Sequence, residues 1–164
     1  MTVDMRSCLQ QIKKTNDLFT VKKRISTKYE IATVTEKLDG TKAALFENIN
    51  GSKFKLVSNL VGSRDRFAQA IGAKNNDINQ KIVKAISSAK KPKISTTAKF
   101  FENSSNDISI LPIVTHFQNE SGPFITSSIL YTKNQETKSQ NSSIHRLMPI
   151  GKNQFSIRMV EGRD

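Results

Sequence analysis

The stretch Asn141-Ser142-Ser143-Ile144-His145-Arg146-Leu147-Met148-Pro149-Ile150 sets an amide, two hydroxyls, an imidazole and a guanidinium on a run that otherwise reads as a β-strand. Strand side chains alternate between faces, so Asn141, Ser143 and His145 share one face while Ser142, Ile144 and Arg146 share the other. Leu147, Met148 and Ile150 carry the run on into apolar packing. Polar groups inside such a pattern need partners, because a buried amide or guanidinium without one is costly. The stretch therefore implies a ligand, a metal, a water or a counter-charge beside it.

Neighbouring segments have strand periods too, at residues 110–117, 124–132, 142–150 and 154–160. Breaks at 119–123, 134–140 and 151–153 separate them, which suits an antiparallel sheet curling into a barrel. Four strands do not close a barrel comfortably, so another chain or further residues are expected to complete the sheet.

Helical spacing dominates upstream. Asp4 is placed to cap a helix carrying Met5, Cys8, Leu9 and Ile12, and a strand at 18–21 follows. Thr27-Lys28-Tyr29-Glu30 has the capping-box form and predicts a second helix bearing Tyr29, Ile31, Val34 and Leu38. Asn50-Gly51 between apolar runs at 43–49 and 54–60 predicts a tight hairpin. Gly62-Ser63 opens a third helix with Phe67, Ala70 and Ile71 along one side; Ile78, Ile82, Val83 and Ile86 mark a fourth, closed by Lys90-Lys91-Pro92. Residues 92–109 carry no sustained period. The fold class expected is α+β: an N-terminal helical α+β domain with connector at 1–109, then the first strands of a split β-barrel at 110–164.

Composition narrows function. With 164 residues, 36% of them hydrophobic, the chain can bury a core. No apolar run approaches the ~20 residues that span a bilayer, and no signal-peptide pattern opens the chain, so a cytoplasmic protein without membrane contact is expected. The lone Cys8 reads as a helix core residue. The net charge of +12 is concentrated early, with 20 Lys+Arg against 10 Asp+Glu over residues 1–111 and 6 against 4 over 112–164. The lysines are scattered and lack base-stacking aromatics, so a solvated surface is favoured over nucleic-acid binding. P-loop, Gly-x-Gly-x-x-Gly, Gly-x-Ser-x-Gly and zinc-type histidine pairs are absent, and with only His116 and His145 a serine-type triad is not expected. His116 reads as a hydrogen-bonded structural residue.

The order of motifs resembles the N-terminal portion of the UbiD-type decarboxylases. It runs through Met5-Arg6-Ser7-Cys8-Leu9, Leu45-Phe46-Glu47-Asn48-Ile49 with Gly51-Ser52, and Asn59-Leu60-Val61-Gly62-Ser63-Arg64. It continues through Leu111-Pro112-Ile113-Val114-Thr115-His116, Gly122-Pro123-Phe124-Ile125-Thr126, and Asn141 to Arg146 with Lys152-Asn153 and Ile157-Arg158. What the resemblance implies is non-oxidative loss of carbon dioxide from an unsaturated acid, with prenylated FMN supplied by a flavin prenyltransferase, a divalent metal, usually Mn2+, and K+ as a further ion. Asn141 then matches a metal ligand bridging to the cofactor phosphate, and Arg146 the catalytic arginine over the flavin. Ser142, Ser143, Ile144 and His145 would line the cofactor. Without the resemblance, Asn141 reads as a strand-start residue and Arg146 as a surface arginine.

The variant His145-Arg146-Leu147-Met148 looks like archaeal members acting on anhydromevalonate phosphate in isoprenoid biosynthesis, although aromatic acids are equally usual for the family. In the family, further metal ligands, a two-glutamate segment and a dimerisation domain lie downstream of the position matching Asp164. The chain alone is therefore expected to be inactive, and to need a complementary C-terminal segment or subunit and homo-oligomeric assembly. The alternative is a non-catalytic basic binding protein, either a partner subunit or a nucleic-acid-binding barrel.

Overall fold

The computed structural model describes residues 4–90, 95–98 and 102–160. The fold is α+β, with two three-stranded sheets and no closed barrel among the described residues. Two compact units emerge, each discontinuous in sequence. The first takes residues 1–23, 34–48 and 55–104, and the second 24–33, 49–54 and 105–164. The organisation expected from the sequence has a single cut between 109 and 110. No described helix is long and apolar enough to cross a membrane.

In the first unit, helix α1 (Met5–Lys14) begins where the spacing places it. The Asp4 carboxylate accepts from the Ser7 amide at 2.7 Å, and the Ser7 hydroxyl answers the Asp4 amide at 3.0 Å, so two orphan donors of the first turn are satisfied reciprocally. Cys8 and Ile12 lie on its buried face, as the spacing predicts. Strand β1 (Leu18–Val21) pairs in parallel with β2 (Ala43–Phe46), which pairs antiparallel with β3 (Leu56–Ser58). A parallel pair needs a crossover, and helix α2 (Glu30–Lys37) lies within it. Ala43, Ala44 and Phe46 are fully buried at the sheet centre, where small residues admit close packing.

Helix α3 (Arg64–Ala70) is capped by the Ser63 hydroxyl, which accepts from the Arg66 amide at 3.2 Å. Its inward residues are Arg66 and Ala68, whereas Phe67, expected on the apolar side, is exposed. Arg66 is 3% exposed and donates through Nη1 to the Thr41 carbonyl at 2.8 Å, while Nε and Nη2 have no partner. A single 3-10 turn leads into helix α4 (Ile78–Ser87). Only Ile78 of its predicted apolar set is buried; Ile82, Val83 and Ile86 face outward. The Lys91-Pro92 end expected for this helix lies outside the described residues.

The second unit corrects two expectations. The predicted capping box at Thr27 does not form. Lys28 instead makes an isolated parallel bridge to Thr115 within a turn: Thr115 donates its amide to the Thr27 carbonyl at 3.1 Å, and the Tyr29 amide donates to the Thr115 carbonyl at 3.1 Å. Tyr29 turns the chain at φ 69°, and the helix starts only at Glu30, whose carboxylate accepts from the Ser26 amide at 2.7 Å. The strand expected at 110–117 is likewise not regular. A 3-10 turn occupies Ile108–Ile110, and only Val114 and Thr115 make isolated bridges, to Phe124 and Lys28.

The Asn50-Gly51 turn is present, closed by an Ile49↔Ser52 bridge with Gly51 at φ 75°. Asn50 keeps a negative φ, so the turn is not the doubly left-handed type that Asn-Gly favours in hairpins. Ile25, Ile31, Ile49 and Val114 are this unit's buried apolar residues.

Candidate functional site

The candidate stretch forms the middle strand of the second unit's sheet. Strands β4 (Ile125–Lys133), β5 (Gln140–Pro149) and β6 (Phe155–Ile157) pair antiparallel in that order. Three of the four expected strands are thus present. Asn134 organises the β4–β5 connection: its side-chain oxygen accepts from the Glu136 and Thr137 amides at 2.8 Å each, and Lys138 takes φ 59°.

Cross-strand pairing settles which residues share a face. Ile129 lies opposite Ile144 and Tyr131 opposite Ser142; both pairs stand on one side, with Ile129 59%, Tyr131 79% and Ile144 74% exposed. The other side carries Ser128, Leu130, Ser143 and His145, all half-buried. There the His145 Nε2 and Ser143 Oγ lie 2.9 Å apart, so these two predicted residues meet directly.

Arg146 occupies a special place in the ladder. Ile125 pairs with Leu147 and Ser128 with His145, so three steps along β4 match two along β5. Thr126 and Ser127 therefore both face Arg146, the arrangement of a β-bulge, which raises local twist and is over-represented beside active sites. Thr126 and Ser127 are functional candidates that strand periodicity misses. The only signal in the sequence is the clustering of short hydroxyl side chains at 126–128.

Asn141 and Arg146 are both exposed, and neither side chain has a hydrogen bond or ion pair among the described residues. Five positions apart, they fall on opposite faces of a regular strand: Asn141 with Ser143 and His145, Arg146 with Ser142 and Ile144. The structure thus brings Ile144 and Arg146 together, and Ser143 with His145, but does not gather Asn141 and Arg146 on one face.

Around this sheet Glu120 and Asp107 have structural partners, whereas the buried His116 Nδ1 has no hydrogen-bond partner among the described residues. Glu120 accepts from the His116 and Phe117 amides at 2.7 and 3.3 Å, with His116 Nδ1 3.9 Å from the same carboxylate. Asp107 caps its 3-10 turn by accepting from the Ser109 amide at 2.9 Å, with Lys152 3.8 Å away. Hydrogen bonding to Ser109 holds the Asp107 carboxyl below the usual range.

As a donor set, the described residues contain no group of three or more His, Cys, Asp or Glu able to hold a metal ion. Asn141 offers one hard oxygen. It suits an ion such as Mn2+, which takes about six ligands, as a single member of a larger set. An exposed apolar surface ending in an unpartnered guanidinium suits a planar, anionic ligand.

Two family profiles match end to end. The 3-octaprenyl-4-hydroxybenzoate carboxy-lyase N-terminal domain covers residues 9–86, and the Rift-related domain of the same carboxy-lyase covers 87–164. The anhydromevalonate phosphate decarboxylase of Methanosarcina mazei is 31% identical over 160 residues, which are 96% of this chain and 36% of that protein. The UbiD-class enzyme HmfF of Pelotomaculum thermopropionicum in complex with FMN superposes with a TM-score of 0.90 at 28% identity, covering 95% of this chain and 36% of that one. Its evolved dimeric form with prFMN gives 0.88 at 25% identity, covering 98% and 39%. The chain spans little more than a third of the length of each of these relatives.

Proposed function

Because the chain belongs to the UbiD carboxy-lyase family, we propose that it is the N-terminal part, or a subunit, of a non-oxidative decarboxylase that uses prenylated FMN and a divalent metal on an unsaturated acid. The observation that carries this reading is Arg146, an unpartnered cation at a β-bulge, on the same strand face as the exposed Ile144. The prFMN-bound HmfF relative supports the cofactor.

When bound, the flavin supplies the electron sink for loss of carbon dioxide. The chain's own part is electrostatic and steric. Arg146 pairs with the substrate carboxylate and orients it, a task for a planar fork of donors that stays charged. Ile129, Tyr131 and Ile144 give an apolar surface for a ring system and keep water from it, which strengthens the ion pair. Ser142 lines the cofactor on this face and Ser143 and His145 on the opposite one, where Asn141 serves as one oxygen ligand of the metal at the hairpin end. In this reading, residues 1–109 and 110–164 are the N-terminal domain with connector and the first strands of the cofactor-binding domain.

Anhydromevalonate phosphate is the substrate we favour, supported by the 31% identity to the Methanosarcina mazei enzyme and by a net charge of +12 that suits a phosphorylated acid. A complementary C-terminal segment or subunit supplies the remaining ligands and acid–base groups. Homo-oligomeric assembly follows the dimeric HmfF form.

The test is co-expression of the chain with its complementary segment and a flavin prenyltransferase, followed by carbon dioxide release and flavin content. Arg146→Ala is expected to lower turnover by at least about 10²-fold, the scale of losing one charge-stabilising donor, with flavin retained. Asn141→Ala is expected to release metal and flavin together. Normal turnover and full flavin occupancy in both variants would refute the two assignments.

A further inference from the structure

We infer that Ser128 is a positioning residue that sets the direction of Arg146 through the peptide bond joining His145 to Arg146. This rests on the reading of Arg146 as the substrate-orienting cation. Ser128 lies directly opposite His145 in the β4–β5 register, and its hydroxyl donates to the His145 carbonyl at 2.6 Å. That carbonyl belongs to the planar unit whose nitrogen is Arg146's own, so fixing where the oxygen points fixes the plane from which the Arg146 Cα departs.

The location gives the bond its weight. On the far side of Ser128 the ladder slips by one residue, and Thr126 and Ser127 together face Arg146. A bulge leaves the backbone opposite it less constrained by regular pairing, so the last well-paired position before it governs the angle at which the next residue leaves the sheet. His145 is held twice at that position, by Ser128 at its carbonyl and by Ser143 at its ring, 2.9 Å from Nε2. The Arg146 side chain has no hydrogen bond or ion pair among the described residues, so its aim is inherited from the backbone. The Ser128 bond is half-buried, where competition from water is reduced.

The measurement is steady-state turnover of the assembled, flavin-loaded enzyme with Ser128→Ala, Ser128→Thr and Arg146→Ala. Misaiming the cation by a fraction of an ångström to an ångström costs up to about 10²-fold, so Ser128→Ala is expected to lower kcat about tenfold. KM should change much less. Ser128→Thr keeps the hydroxyl and should restore kcat to near wild type. Should Ser128→Ala disturb assembly, the Ser128→Thr rescue and the kcat-against-KM split in the folded fraction still decide.

Unchanged kcat in Ser128→Ala, or equal losses in Ser128→Ala and Ser128→Thr, would overturn the role of the hydroxyl. Those results would leave Arg146 standing so long as Arg146→Ala is inactive. An active Arg146→Ala would instead sink the reading on which the proposal rests.

Discussion

Replacing Arg66 by methionine is expected to stabilise the fold, although it removes a buried hydrogen bond. Arg66 is 3% exposed, and of its three guanidinium nitrogens only Nη1 has a partner, the Thr41 carbonyl at 2.8 Å. A hydrogen bond from a charged donor contributes about 1.5–3 kcal/mol, whereas each buried, unmade polar group costs about 1–3 kcal/mol, so two orphaned nitrogens outweigh or match the bond. Thr41 itself is exposed, and its carbonyl can turn to water once the guanidinium is gone. Methionine keeps most of the stem's length and flexibility, so the packing of the buried stem is largely retained.

Exchanges of buried ions for well-packed apolar groups run from neutral to about 4 kcal/mol stabilising, and a gain of about 1–2 kcal/mol is expected here. Arg66→Ala should go the other way by about 1–3 kcal/mol, since it leaves a cavity where the stem lay. Urea unfolding followed by circular dichroism, with m-values compared, separates the two. Destabilisation by Arg66→Met of more than about 2 kcal/mol would refute the claim that the orphaned nitrogens dominate.

Phe46 is fully buried at the centre of the first unit's sheet, so Phe46→Ala should cost about 3–5 kcal/mol in the same assay; a loss below about 1 kcal/mol would mean this core is not close-packed. The chain should also lose stability in acid. Hydrogen bonding from Ser7 lowers the Asp4 carboxyl from its ordinary 3.8, hydrogen bonding from Lys55 lowers Glu47 from 4.5, and hydrogen bonding to Ser109 lowers Asp107 from 3.8. A carboxyl depressed on folding contributes stability above its unfolded pKa and loses it as pH falls through the lower folded value. Asp4→Asn keeps an N-cap acceptor but cannot titrate, so its unfolding midpoint should fall less steeply than wild type below pH 3.8. An identical acid limb would contradict that assignment.

Local chemistry was enough to read much of this chain. Asp4 and Ser63 cap helices because an oxygen at that spacing reaches the free amides of the first turn, wherever the rest of the chain lies. Gly51 turns the hairpin because it adopts positive φ without penalty. The long alternating runs of β4 and β5 declared themselves by period, and the ordered motifs from Met5 to Arg158 carried the family resemblance that the profiles at 9–86 and 87–164 bear out.

Partners distant in sequence decided the rest. Thr27 to Tyr29 has a helix-start pattern but forms a turn bridged through Lys28 to Thr115, which, far along the chain, offers its backbone groups. Residues 110–117 look like a strand, yet only Val114 and Thr115 make β-bridges, and a strand exists only where a neighbour completes its ladder of hydrogen bonds. Arg66 points inward and Phe67 outward because the helix's position, not the polarity of its residues, sets which side is covered. The bulge that sets Thr126 and Ser127 against Arg146 is a property of register between two strands, and no single strand's sequence contains it.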